Sequence, residues 1–210
     1  MGDPATPSLT RLPWAATEAR SVESRLRAAY PEMPTRLFLD TDATPTNYLS
    51  HARGAGFVHL ACHAIVGDSA EGSALYLATD QTGDDRLDLV QISQAPLNDA
   101  LVFLSACRSG TGRAAAEGTV GLAREFLRAG ARTVVASHWD LPDEVTATLV
   151  DHVYSSFIGD RRDIATSVKE GMLATRAELE RKGRAPHPGA WGPFFVLGDG
   201  TLRDDSYRRG

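Results

Sequence analysis

Apolar and polar residues follow two periods along this chain, and these patterns predict its secondary structure. Short, nearly continuous apolar runs are typical of strands buried inside a parallel sheet. They predict strands at 36–40, 57–62, 74–79, 100–106, 132–137 and 193–198. Apolar residues spaced three and four apart predict helices at 15–30, 118–128, 143–157 and 163–181, with shorter helices within 41–51 and 87–94.

Residues that favour helix ends support these boundaries. Gly130 follows the helix predicted at 118–128 and is expected to end it as a C-cap. Asp143 is expected to cap the helix at 143–157. Asp42 or Thr44 is expected to cap the short helix within 41–51.

The order of these elements predicts the domain organisation. Strands that alternate with helices indicate an α/β fold, with a mostly parallel sheet and helices on both faces. Neither an internal repeat nor a linker divides the chain. We therefore expect one domain over 14–200, preceded by a flexible, proline-rich arm at 1–13 and followed by a polar tail at 201–210.

Composition and charge restrict the function classes. A formal net charge of −5 over 210 residues argues against a nucleic-acid surface, which needs clustered Lys and Arg. No apolar run approaches the ~20 residues of a membrane span, and the start of the chain lacks a signal-peptide pattern. The two cysteines both fall in or beside buried-looking strands, which indicates free thiols in a reducing cytoplasm rather than disulfides.

Two of the predicted strands end on residues with nucleophilic or acid–base chemistry. Cys107 follows the strand at 100–106, and His63 follows the strand at 57–62. The carboxyl ends of strands in an open α/β sheet meet at one edge, where sites are usually found. Backbone amides and the guanidinium groups of Arg108 and Arg113 would favour the thiolate of Cys107. His63 could then move the proton, so the pattern predicts a Cys/His nucleophilic pair.

Neighbouring residues suggest other readings. His59 lies on the same strand face as His63 and is expected to be a hydrogen-bonded structural residue, whereas Cys62 points to the other face and packs. Because Cys62 projects away from both histidines, these residues do not predict a zinc site. Cys107 and Arg113 also fit the Cys-x-x-Gly-x-x-Arg loop of cysteine-dependent phosphatases, an alternative that stays open.

Several motifs, in order along the chain, resemble the CHAT domain, whose peptidases belong with caspases, separases and gingipains. The resemblance runs from about residue 12 to 198. It rests chiefly on His59-Leu-Ala-Cys-His63, Leu104-Ser-Ala-Cys-Arg-Ser-Gly110, Val134-Val-Ala-Ser-His-Trp139 and Trp191-Gly-Pro-Phe194.

The resemblance implies a caspase-like three-layer sandwich and a cysteine endopeptidase with His63 and Cys107 as its dyad. It also implies an oxyanion site formed by the backbone amides of Ala64 and Cys107. The candidate residues of the substrate groove are Arg108, Ser137, His138, Trp139 and Asp140. No cofactor and no metal is expected. The expected partners are a protein substrate and a sensor or regulatory protein, in the setting of a bacterial regulated protease.

This chain departs from the family pattern at two positions. Ala64 stands where the family usually has glycine after the catalytic histidine, and its methyl group restricts the backbone of the oxyanion site. His138 stands where an aliphatic residue is usual, beside the expected substrate groove. These departures favour, as the alternative to a peptidase, a catalytically weak protein-interaction module with the same fold.

Overall fold

The described residues form an eight-stranded mixed sheet between two layers of helices. The structure is a computed structural model, and it describes residues 1–7, 9–65, 72–108, 114–184 and 187–207. The strand order is β2-β1-β3-β6-β7-β8, with β4 beside β3 and β5 beside β4. The pairs from β2 to β7 are parallel, and β8 is antiparallel to β7. The predicted α/β fold is confirmed.

The strands are β1 (Gly2–Pro4), β2 (Leu39–Asp40), β3 (Phe57–Ile65), β4 (Ala74–Tyr76), β5 (Arg86–Asp88), β6 (Ala100–Arg108), β7 (Ala131–Ser137) and β8 (Phe194–Gly198). The helices are α1 (Pro13–Ala29), α2 (Pro45–His51), α3 (Leu89–Gln94), α4 (Ala114–Arg128), α5 (Asp143–Tyr154) and α6 (Ile164–Arg181). A π turn (Ser155–Gly159) extends α5, and 3₁₀ turns lie at Pro188–Ala190 and Asp204–Tyr207. None of the described helices is both long and apolar enough to cross a bilayer.

Alternate residues of the central strands supply two separate cores. On one face, even-numbered residues of β6 such as Val102 and Leu104 pack with Phe126 of α4 and Tyr48 of α2. On the other face, odd-numbered residues such as Phe103 pack with α1, α5 and α6. Strands that are buried on both faces read as continuous apolar runs, which is why the sequence pattern located them.

Both site-bearing strands continue further than the sequence indicates. β3 runs on to Ile65 and β6 to Arg108, so His63 and Cys107 lie inside paired strands and not beyond their ends. The reason for β3 is non-local: its last three residues, 63–65, pair with the antiparallel strand β4. β5, which we expected as the first turn of a helix, pairs with β4 and ends where Asp88 caps α3.

The expected flexible arm at 1–13 contains a strand of the sheet. Gly2–Pro4 lies between β2 and β3 as β1, and Gly2 pairs with Ala61 of β3. A Cβ atom on Gly2 would lie 2.5 Å from the carbonyl oxygen of Ala15, so the missing side chain lets α1 pack closely over this strand. The composition of this strand, which includes Asp3 and a proline, hides it from a hydrophobic pattern.

The expected polar tail at 201–210 is docked against the domain as far as residue 207. Leu202 is buried, and the Tyr207 ring lies 4.4 Å, centroid to centroid, from the Phe57 ring. The Tyr207 hydroxyl also donates to the carbonyl of Asp99 over 2.9 Å. Residues 208–210 lie outside the described part of the chain.

Candidate functional site

The register of the central strands brings the two predicted catalytic positions together. His63 of β3 is the direct partner of Cys107 in the parallel ladder with β6. Adjacent strands lie about 4.8 Å apart, and partner residues in a parallel pair belong to the same face of the sheet. Positions 63 and 107 therefore lie side by side on the face covered by α1, α5 and α6.

The imidazole of His63 is held by a backbone carbonyl. Its Nε2 lies 2.7 Å from the carbonyl oxygen of Thr10, in the segment between β1 and α1. Because a carbonyl only accepts hydrogen bonds, Nε2 must carry the proton that is donated. In the neutral ring, Nδ1 is then the nitrogen with the lone pair. The arrangement selects one tautomer and leaves Nδ1 to accept a proton.

A buried carboxylate holds the segment that carries Thr10. Asp3 receives hydrogen bonds from Arg11 at 2.9 and 2.7 Å and from the amide of Leu12 at 2.8 Å. Burial alone would raise the pKa of Asp3, but these bonds and the Arg11 charge outweigh it and hold the pKa below its ordinary value. We refer to Asp3, Arg11 and Leu12 as the Asp3 latch. It ties the two residues that directly follow the Thr10 carbonyl to β1.

The rest of the cysteine loop is not described. The structure gives the backbone of Cys107 and Arg108, and residues 109–113 lie outside the described residues, as do 66–71. Arg113, on which the phosphatase alternative depends, is among them. Arg108 is the register partner of Ala64, so it continues the ladder at the end of the sheet where the dyad lies.

The predicted oxyanion donor Ala64 lies between two neighbouring strands. Arg108 of β6 is its partner on one side, and Leu75 of β4 is its partner on the other. With a strand on either side, its amide faces a neighbouring backbone, so it could serve an oxyanion only if this end of the ladder opens.

Two of the groove candidates line a small pocket on the His63 face. Ser137 and Trp139 lie around a cavity of about 10 Å³, room for roughly one water, together with Ser105 and Thr146. The hydroxyl of Ser105 is buried and has no hydrogen-bond partner within the described part of the chain. Trp139 stays 38% exposed, and its Nε1 donates to the carbonyl of Gly189 over 2.9 Å. The described lining of this pocket contains no charged side chain, and its hydroxyl groups belong to Ser105, Ser137 and Thr146.

The other groove candidates lie elsewhere. The ring of His138 stacks on Phe195 with centroids 4.1 Å apart, on the opposite face of the sheet from His63. Asp140 is exposed beyond the end of β7. The prediction that His138 borders a groove on the dyad face is not supported by this geometry. Ser137 and Trp139 line the pocket on the His63 face, and His138 between them lies on the other face.

His59 lies four residues before His63 on the same face of β3, within a buried cluster of polar side chains. Its Nε2 lies 2.8 Å from Oε1 of Glu18, and its Nδ1 lies 3.2 Å from the Tyr154 hydroxyl. Burial lowers the pKa of His59, against the raising effect of Glu18. The structural role expected for His59 is therefore confirmed. Cys62 is fully buried in the core on the other face, as expected.

The described residues hold no cluster of three or more His, Cys, Asp or Glu side chains arranged for a metal ion.

The functional groups that sequence reasoning missed are those of the N-terminal segment. The Thr10 group is a backbone carbonyl, which has no sequence signature. The Asp3 latch could have been suspected only from an Asp and an Arg placed before a helix.

A comparison with protein-family models matches the CHAT domain over residues 1–199, nearly the whole chain. Among curated proteins, tetratricopeptide repeat protein 28 of Mus musculus is 25% identical over 94% of this chain. The Homo sapiens protein of that name is 29% identical over 56% of it. This chain spans only 9% and 4% of those two relatives.

Among solved structures, the chain resembles the Arg-specific cysteine proteinase gingipain R with a TM-score of 0.61 and 14% identity. That match covers 96% of this chain and 45% of the proteinase. A complex of the pro- and mature domains of RgpB from Porphyromonas gingivalis gives a TM-score of 0.60 at 13% identity, over 90% of this chain and 43% of that one. At these identities the likeness shows that the fold is caspase-like.

Proposed function

This chain belongs to the CHAT domain family, and from that premise we propose that it is a cysteine endopeptidase with His63 and Cys107 as its dyad. The observation that carries the proposal is the register pairing of these two positions on one face of the sheet. The hydrogen bond from His63 to the Thr10 carbonyl supports it, because it fixes the tautomer that a proton acceptor needs.

The proposed reaction follows acyl transfer to a thiolate. His63 takes the thiol proton of Cys107, and the thiolate forms a bond with the carbonyl carbon of the scissile peptide. When the tetrahedral intermediate collapses, the C–N bond breaks and His63 gives the proton to the departing amine. Water then attacks the thioester with His63 as the base, which releases the new carboxyl group and restores the thiol.

The pocket beside the dyad supports a preference for a small, uncharged residue before the cleaved bond. It is lined by the hydroxyl side chains Ser105, Ser137 and Thr146, and its described lining contains no charged group. A long arginine or an aspartate would be buried there without a partner of opposite charge, which is costly. We also propose that the peptidase acts in a reducing cytoplasm, with a regulatory protein as partner.

Labelling with an electrophilic substrate analogue tests the dyad. We expect an acyloxymethyl ketone peptide with alanine before the reactive group to form a single adduct on Cys107, located by mass spectrometry. The His63→Ala variant should lose it, and Cys62→Ala, which removes the buried second cysteine, should keep it. An adduct on Cys62, or labelling that does not depend on His63, would refute the assignment.

One observation favours a second candidate function, a protein-interaction module with little turnover. The amide of Ala64 is enclosed by strands on both sides, so the expected oxyanion donor is engaged in the sheet. A module of this kind would bind a fluorescent peptide equally well before and after Cys107→Ala. It would also leave the ketone peptide unreacted, the opposite of what the peptidase predicts.

A further inference from the structure

The small pocket at the end of β7 contains a buried hydroxyl group that the proposed reaction does not use. This hydroxyl belongs to Ser105 of β6, which is only 5% exposed. Its oxygen is buried and has no hydrogen-bond partner within the described part of the chain. Because an unsatisfied buried polar group costs free energy, an orphaned hydroxyl at a pocket indicates that the pocket receives a polar group.

The order of the strands places this pocket next to Cys107, on the opposite side from His63. β6 lies between β3, which carries His63, and β7, whose last residue Ser137 lines the pocket. Ser105 precedes Cys107 by two residues, so the two positions belong to one face of the sheet and lie about 6.6 Å apart along the strand. The carbonyl carbon that Cys107 attacks is separated from the Cβ atom of the same substrate residue by Cα alone. The side chain of that residue therefore has the pocket within its reach.

The hydrogen-bonding groups around the pocket suit a hydroxyl group. Ser105 supplies an O–H donor, because its register partner on β3 is Ala61, whose methyl group cannot accept a hydrogen bond. Ser137 donates to the carbonyl of Ala106 over 3.4 Å, so the lone pairs of its own oxygen are left to accept. A hydroxyl is the smallest group that accepts one hydrogen bond and donates another, and it therefore matches this pair of serines.

The size of the pocket restricts the side chain that carries this hydroxyl. The pocket has a volume of about 10 Å³, room for a single water-sized group. Apolar side chains form the remainder of its described wall, among them Leu141, Pro193 and Phe194. A serine side chain adds one oxygen beyond its Cβ atom, whereas threonine adds a methyl group as well and asparagine adds more. Serine is therefore the residue that fits both the volume and the hydrogen-bonding groups.

We propose that Ser105 is a specificity-determining residue, and that it selects serine as the residue before the cleaved bond. The Ser105 hydroxyl donates to the serine oxygen of the substrate, and the substrate hydroxyl donates in turn to the oxygen of Ser137. Alanine also fits the pocket, but it leaves the Ser105 hydroxyl without a partner, which disfavours it. The inference rests on the proposed peptidase function and names its substrate class, proteins cleaved after serine.

Two peptides that differ in one group test the proposal. One has serine before the scissile bond, and the other has 2-aminobutyrate, in which a methyl group of similar size replaces the hydroxyl. The wild-type chain should cleave the serine peptide with a kcat/KM about tenfold higher, the difference that one net hydrogen bond supports. In Ser105→Ala this ratio should fall to about one. The melting temperature of Ser105→Ala should not fall, because the hydroxyl that it removes has no partner among the described residues.

Ser167→Ala is the matched control for this variant. Ser167 is buried like Ser105, but it belongs to α6, and its hydroxyl donates to the carbonyl of Asp163 over 2.8 Å. The control should keep the tenfold preference for the serine peptide. A loss of the preference in Ser167→Ala would show that the effect is not specific to the pocket and would overturn the role of Ser105.

Peptide binding to Cys107→Ala separates this inference from the peptidase activity. In competition with a fluorescent serine peptide, the Kd of the serine peptide should be about tenfold lower than that of the 2-aminobutyrate peptide. Adding Ser105→Ala should remove this difference. If the difference in Kd is present but the wild-type chain cleaves neither peptide, the peptidase assignment fails and the role of Ser105 is supported. Equal values for the two peptides in both assays, a preference that survives Ser105→Ala, or neither binding nor cleavage of the serine peptide would overturn the inference.

Discussion

At the scale of single residues, the candidate site depends on a carbonyl group that belongs to no catalytic motif. Thr10 holds His63 in one tautomer, and the Asp3 latch holds Thr10. Asp3 also has a positive φ of 46°, a backbone conformation that residues other than glycine rarely adopt. A strained residue at this point fits a segment whose shape serves the site.

The Asp3 latch yields the first prediction. Asp3→Asn removes the charge that binds Arg11, so it should destabilise the fold by about 1–2 kcal/mol. It should also lower kcat/KM about tenfold, mainly through kcat, because the Thr10 carbonyl would no longer be fixed. Steady-state kinetics on a peptide substrate would measure this, with Asp42→Asn as an exposed control. Unchanged kinetics would show that the latch has no part in catalysis.

Buried His59 yields a prediction on pH. Because burial lowers its folded pKa below the ordinary value of about 6.5, the unfolded chain binds the proton more readily. The stability from this group is complete above pH 6.5 and is lost as pH falls through the folded pKa, at up to about 1.4 kcal/mol per pH unit.

Urea unfolding between pH 5 and 7.5 would measure this slope. The His59→Gln variant should show a flatter dependence than the parent chain, whereas His187→Gln, at an exposed position, should not change it. Equal slopes in all three proteins would contradict the assignment to His59.

At the scale of elements, helices are capped and packed by residues from other helices. α1 begins without a side-chain cap of its own, and the carboxylate of Asp143 in α5 accepts from the amide of Trp14 over 2.8 Å. Asp143, which we expected to cap its own helix, therefore caps α1, and Pro142 takes the N-cap position of α5. Burial raises the pKa of Asp143 in spite of this amide bond.

We expect Asp143→Ala to destabilise the fold by about 1 kcal/mol, the usual cost of losing an N-cap. Asp143→Asn, which keeps an oxygen acceptor, should cost less. Glu144→Ala, one residue further along the same helix, is a suitable control. Denaturant midpoints would rank the three variants, and equal costs for Ala and Asn would argue against the capping role.

The contact between α5 and α6 depends on a glycine. A Cβ atom on Gly171 would lie 2.5 Å from Cγ2 of Val153 and 3.1 Å from its backbone nitrogen, so even alanine overpacks the interface. We expect Gly171→Ala to cost about 1–3 kcal/mol.

Gly121 in α4 is the matched control, since a Cβ atom there meets nothing within 4 Å. Gly121→Ala should be neutral or stabilising by up to about 1 kcal/mol. Thermal unfolding of both variants would test the pair, and similar midpoints would contradict the close packing of α5 on α6.

At the scale of the whole molecule, the fold follows from patterns that are local, and the site follows from pairings that are not. The apolar runs located β3, β6 and β7 because each is buried on both faces. The sequence could not show that β4 lengthens β3, since that pairing joins distant segments. It also hid β1, whose three residues are held by their neighbours and not by an apolar pattern.

The sequence likewise indicates only part of the candidate site. The chemistry of His63 and Cys107 was visible from their positions, whereas the Thr10 carbonyl that orients His63 was not. The resemblance implies a groove along 137–140, whereas the structure places Ser137 and Trp139 at the pocket and stacks His138 on Phe195. The apolar run predicts a strand at 36–40, but only Leu39–Asp40 pairs with β1.

Cleavage of a peptide library tests the central claim of a Cys/His peptidase most directly. The wild-type chain should cleave after small, uncharged residues such as alanine and serine, and Cys62→Ala should cleave in the same way. Cys107→Ala and His63→Ala should each lose at least a thousandfold in kcat/KM. Cleavage that survives in either of these two variants, or no cleavage by the wild-type chain, would contradict the account.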